Sequence, residues 1–98
     1  MAQNQNFNVD AAAYTLLTNS DVTAARVQNT SGVAVWLQAN SSSTLPSSDV
    51  GAILLSPYAG IDASLTLAQL FPGVTGAVRL FAKSASAGTG AMVSVSHA

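Results

Sequence analysis

The chain has no glutamate and a single lysine, and its apolar runs end after about six residues. A surface helix builds its solvent face from long charged side chains, and Glu and Lys supply most of them. This sequence offers Ser, Thr, Val and Gly instead. The expected fold is therefore all-β, a single small antiparallel β-sandwich or jelly-roll-like barrel. The longest apolar stretches, residues 32–37 and 51–55, fall far short of the roughly 18 to 20 residues that span a bilayer, so no membrane partner is expected.

The clearest local unit covers residues 24–39, where Ala24-Ala25-Arg26-Val27-Gln28 and Val33-Ala34-Val35-Trp36-Leu37-Gln38-Ala39 flank Asn29-Thr30-Ser31-Gly32. It reads as a β-hairpin in which Gly32 takes positive φ and the Asn29 side chain bonds the turn backbone. Further strands are expected near residues 7–9, 14–17, 51–55, 64–67, 77–83 and 91–97. Pro72-Gly73 fits the centre of a type II turn. Residues 62–71 also fit a short helix capped by Asp62, and the preferred reading is a strand followed by a helical turn.

Two polar stretches interrupt the pattern. Residues 1–6 carry Asn and Gln with no apolar anchor before Phe7, so residues 1–9 read as a polar extended arm preceding a sandwich domain at 10–98. Residues 40–48, with Ser41-Ser42-Ser43 and Pro46, form a loop that is either mobile or used. An arm or loop of this kind can order against a neighbouring subunit.

Only seven of 98 residues are charged: Asp10, Asp21, Arg26, Asp49, Asp62, Arg79 and Lys83. An ordinary soluble domain charges about a quarter of its positions, and so little charge gives weak protection against self-association. The three basic residues are scattered, so the phosphate-neutralising stripe of a nucleic-acid binder is missing. The apolar fraction is 49%, yet 18 of those residues are Ala and 25 are Leu, Ile, Val or Phe, which leaves a thin core. With no cysteine and one histidine, disulfide and metal staples are not expected, and oligomerisation is the remaining way to stabilise a small domain. Residues 1–6 lack the basic and apolar regions of a signal peptide, so export is not expected.

No catalytic residue, cofactor or metal site is assigned. The one neutral-pH base, His97, is penultimate, and the four aspartates mostly sit beside turn residues, where Asp caps loops. Gly88-Thr89-Gly90 lacks the rest of a phosphate-binding loop. Alternation places Val33, Val35, Leu37 and Ala39 on one face of their strand and Trp36 and Gln38 on the other. In the strand from Ala77, Arg79, Phe81 and Lys83 oppose Val78, Leu80 and Ala82. Aromatics and Arg on a polar face anchor interfaces, unless both faces are buried or Trp36 lies under a loop. The candidate interface residues are Phe7, Trp36, Tyr58, Arg79 and Phe81.

The run Val22-Thr23-Ala24-Ala25-Arg26-Val27-Gln28-Asn29-Thr30, leading through Gly32 into Val33-Ala34-Val35-Trp36-Leu37, precedes a polar loop and then Gly51-Ala52-Ile53-Leu54-Leu55-Ser56-Pro57. Gly76-Ala77-Val78-Arg79-Leu80-Phe81-Ala82 and a final Val93-Ser94-Val95 follow. Over residues 14–96 this order resembles small β-sandwich proteins encoded among the structural genes of tailed bacteriophages. The resemblance implies a virion component that decorates or cements the capsid or forms the base of a head fibre. Its implied partners are further copies of itself, a trimer being favoured, and the major capsid protein. It would be assembled in the host cytoplasm and carried on the capsid surface. The alternatives are a carbohydrate- or receptor-binding module using Trp36, Tyr14 or Tyr58 as a stacking platform, and a tail-tube or connector subunit.

Overall fold

A computed structural model describes residues 2–98. Eight strands and one short helix follow one another as β1 (Gln3–Val9), β2 (Thr15–Leu16), β3 (Arg26–Asn29), β4 (Val35–Asn40), β5 (Ile53–Leu55), β6 (Gly60–Ile61), α1 (Leu67–Leu70), β7 (Arg79–Ser84) and β8 (Ala91–His97). Two antiparallel four-stranded sheets result, ordered β1-β8-β3-β6 and β2-β7-β4-β5. This alternation of strands between two sheets is the eight-stranded jelly roll, so the all-β expectation holds.

Side-chain alternation decides what lies between the sheets. Val27, Val93 and Val95 of the first sheet face Val35, Leu37, Leu80 and Ala82 of the second, and all are fully buried. Each such side chain removed from water contributes about 1.5–3 kcal/mol. Leu67 and Phe71, at either end of α1, extend the same core. The helix begins at Thr66, whose hydroxyl accepts from the Gln69 N–H while the Gln69 side chain accepts from the Thr66 N–H. Thr66 therefore caps the helix. Asp62 instead closes the turn before it by accepting from the Ser64 N–H and hydroxyl. No strand forms at residues 64–67, since the neighbouring strand is β6.

The hairpin expected at residues 24–39 is not present. β3 pairs with β8 and β6, whereas β4 pairs with β7 and β5 in the other sheet. Residues 30–34 thus form an arch between sheets. Alternation identifies a strand's buried face, but it does not say which strand lies beside it. Asn29 holds the arch: its Nδ2 donates to Val33 O at 2.6 Å and Ser56 O at 3.2 Å, and its Oδ1 accepts from Ser31 N at 3.0 Å. The side chain does what a bent, buried backbone needs, and Gly32 has no positive φ. Gly73 likewise lacks positive φ, although Val74 N bonds Phe71 O across Pro72-Gly73, so that turn is not type II. Among the glycines positive φ appears instead at Gly51, Gly76 and Gly88, the last in the turn closed by Thr89 N and Ser86 O.

The N-terminal segment is extended, and it belongs to the sandwich. Residues of β1 pair with β8 in an unbroken register from Gln3↔His97 to Val9↔Ala91. Gln3, Phe7 and Val9 are at least partly buried on one face, which exposed Gln5 shares by alternation, while Asn4, Asn6 and Asn8 are exposed on the other. The first residue of the expected arm lies outside the described residues. The ladder with β8 folds the segment onto its own chain.

Candidate assembly surfaces

The outer face of the second sheet gathers most of the residues singled out from the sequence. Register places Trp36 beside Lys83 and Leu54, Gln38 beside Phe81, and Asn40 beside Arg79. Residues 41–52 connect β4 to β5 and cross this face. They are held there by Asp49, whose Oδ1 lies 2.7 Å from Lys83 Nζ and accepts a 2.7 Å hydrogen bond from the Tyr14 hydroxyl. Lys83 Nζ also stands 5.0 Å from the centroid of the Tyr14 ring, within cation-π range. Gln38 Nε2 adds hydrogen bonds to Ser48 O and Val50 O at 3.1 and 2.9 Å.

Ionisation follows from these contacts. The Lys83 hydrogen bond, then that of Tyr14, holds the Asp49 carboxyl below its ordinary value of 3.8. Burial, then the hydrogen bond to Asp49 and its charge, pushes the Tyr14 phenol well above 10.0. At neutral pH the ring is a neutral donor to a carboxylate, which is the stable pairing.

The five candidate interface residues separate. Phe81 is fully buried. It stands beside Gln38 on the outer face, and residues 48–50 are bonded to Gln38 over it, so it is closed to a partner. Arg79 is largely committed within the chain, its Nε 2.9 Å from Asp21 Oδ1 and its Nη1 3.3 Å from Thr18 O. Trp36 is half-buried, with Leu54 directly opposite and 51% exposed. Tyr58 is 65% exposed and holds a positive φ of 65°. Phe7 is half-buried at the rim of the core. Sequence reasoning missed Leu54 and Val50, the latter 85% exposed. The inward pointing of Ile53 and Leu55 would have turned Leu54 outward.

The first sheet presents a different outer face. Asn4, Asn6 and Asn8 of β1 stand beside Ser96, Ser94 and Met92 of β8, and Ser96 and Ser94 stand beside Arg26 and Gln28 of β3. Amides and hydroxyls dominate, and Arg26 is the face's one charge. Its edge at β1 is open: among the described residues, the only backbone hydrogen bonds of Gln3–Val9 run to β8.

A cleft of about 560 Å³ opens between the end of β4, residues 46–51 and residues 70–74. Gln38, Asn40, Pro46, Val50, Phe71 and Pro72 line it, and it contains no charged or imidazole side chain. His97 is buried against β1, with Nε2 3.2 Å from Gln3 Oε1. Among the described residues no three His, Cys, Asp or Glu side chains gather to hold a metal, and no helix is long and apolar enough to cross a membrane. Comparisons of the chain with protein-family models, curated proteins and solved structures find no match.

Proposed function

We propose that this chain is a structural virion subunit that oligomerises and decorates the capsid of a tailed phage, cementing the shell of the major capsid protein. The observation that carries this reading is a surface almost without charge that exposes Leu54 directly opposite half-buried Trp36, and Val50 and Tyr58 elsewhere. Aromatic and aliphatic groups of this kind form the centres of protein interfaces. The jelly roll occurs in viral capsid proteins and in lectin domains, so the architecture suits the role without selecting it. A cement subunit needs contact area and repeated symmetric placement rather than reactivity.

The test is co-sedimentation of the purified chain with emptied heads of the phage that carries its gene. Binding should saturate at a fixed ratio to the shell protein, and Trp36→Ala or Leu54→Asp should abolish it. Failure of the unaltered chain to sediment with heads overturns the reading.

One observation favours a second reading, glycan binding. The amides and hydroxyls of Asn4, Asn6, Asn8, Gln28, Ser94 and Ser96 can donate to and accept from sugar hydroxyls. Tyr14 is buried and bonded to Asp49, so stacking would fall to Tyr58 or Trp36. Glycan-array binding by the free chain, abolished by Tyr58→Ala, would replace the first reading with this one.

A further inference from the structure

We infer that β1 is a self-pairing edge: two copies of this chain join antiparallel along Gln3–Val9 about a two-fold axis at Asn6, making one continuous eight-stranded sheet. The inference deepens the reading of the chain as an assembly subunit and rests on it for its biological meaning, but the contact itself is a property of the free protein.

Sheet edges carry unpaired N–H and C=O groups, and soluble proteins guard long ones with charge, proline, bulges or a covering segment. Among the described residues strand β1 has no charge, proline or bulge, and the segment that reaches it, residues 17–19, bonds the Gln3 side chain and leaves the strand's backbone free. Its seven residues include no Asp, Glu, Lys, Arg or Pro. Its register with β8 runs without a bulge, and no other segment bonds its backbone among the described residues. In an antiparallel ladder successive residues turn their N–H and C=O alternately toward each neighbour, so three or four residues of β1 aim both groups away from β8.

The other three edges identify the occupant. β6 and β2 have two residues each and β5 has three. A ring of three would require β1 to pair with a different edge of the next copy, and each of those is too short to match a seven-residue strand. Only β1 matches β1 in length. Pairing through β1 is therefore two-fold, unlike the trimer expected from the sequence.

Side-chain chemistry agrees with this register. Centred on Asn6, it sets Asn4 opposite the second copy's Asn8, and Asn6 opposite its own counterpart, all on the outer face. A two-fold axis forces a residue to meet itself. An amide both donates and accepts, so Asn can bond its own copy where any charged residue would repel it. On the inner face Gln5 meets Phe7 of the second copy, and the two Phe7 rings become diagonal neighbours within reach of each other. That contact covers the side chain left half-buried at the rim of the core.

The absence of cysteine makes the test direct. Residues opposite one another in such a ladder have Cα atoms about 4.5–5.5 Å apart, inside the range a disulfide bridges. Asn4 or Asn8 would lie at least about 13 Å from its own counterpart, which is too far. Asn6→Cys should therefore form a covalent dimer on mild oxidation, while Asn4→Cys and Asn8→Cys should not, and a mixture of those two should. Since positions 4, 6 and 8 are exposed, the variants keep the fold. Equal crosslinking of all three single variants overturns the register, and a native mass of one chain for the unaltered protein overturns the contact. Crosslinking without binding to emptied heads leaves the edge inference standing and removes the capsid reading; binding to heads without crosslinking does the reverse.

Discussion

Lys83 and Asp49 meet at 2.7 Å on the outer face of the second sheet, and that ion pair fastens residues 41–52 across β4 and β7. Tyr14 bonds the same carboxylate oxygen, and Gln38 holds the backbone on either side of it. A Ser-rich loop with no core of its own is thereby converted into the cover over Phe81.

The fastening should respond to acid in a defined direction. Because the folded Asp49 carboxyl lies below 3.8, its contribution is fully present above that pH and is lost as the pH falls through the depressed value. Backbone amides of residues 41–52 should exchange at an unchanged intrinsic-corrected rate from neutrality down to about pH 4 and faster below it. In Asp49→Asn the faster exchange should appear at neutral pH, confined to that loop and the neighbouring Gln38.

At the alkaline end Tyr14 gives the opposite sign. Its raised phenol stabilises the fold fully below 10.0, and this contribution is lost as the pH rises toward the folded value. Urea melts of the native chain should show stability falling above pH 10.0 more steeply than melts of Tyr14→Phe.

Phe81 and Trp36 share a face and should behave differently. Phe81→Ala leaves a cavity under the loop and should cost about 3–5 kcal/mol in a urea melt. Trp36→Ala should cost about 1 kcal/mol or less. The order reverses for binding, where the Trp36 variant is the one expected to fail.

The arch at Asn29 should be sensitive to small changes. Asn29→Ala leaves Val33 O and Ser56 O without their donor and should cost about 3 kcal/mol. Asn29→Asp keeps the acceptor for Ser31 N but sets a buried carboxylate against those carbonyls, so it should not rescue the loss.

Gly60 marks a close approach of β6 to β3. A Cβ there would stand 2.7 Å from Val27 O and 3.1 Å from Gln28 Cα, both fixed by pairing with β6. Gly60→Ala should cost about 1–3 kcal/mol, whereas Gly73→Ala, with open space around it, should be nearly neutral.

These residues also explain which features were legible in the sequence. Strand β8 and the inward set Val35, Leu37 and Ala39 followed from alternation, because a half-buried strand writes its faces into successive residues. The absence of Glu pointed to β structure for a similarly local reason. Strand pairing was not legible: among consecutive strands only β4 and β5 pair, and the connection from β3 to β4 is an arch whose closing group, Asn29, resembles a turn residue of a hairpin. Strand β1 resembles an arm in the sequence because Gln5 is exposed and Gln3 is held by polar bonds to residues 17–19, at an edge where the core does not demand apolar side chains. Whether Phe81 is open to a partner or buried was not legible, because the loop bonded over it has a composition ordinarily given to solvent.

The central claim is that this chain completes itself against copies of itself. Light scattering on the untagged protein across a range of concentrations measures this most directly. The account predicts a mass that is an even multiple of the 9.9 kDa chain, reduced to a single chain by Asn6→Lys, which places like charges on the two-fold axis. A mass of one chain at every concentration would contradict it.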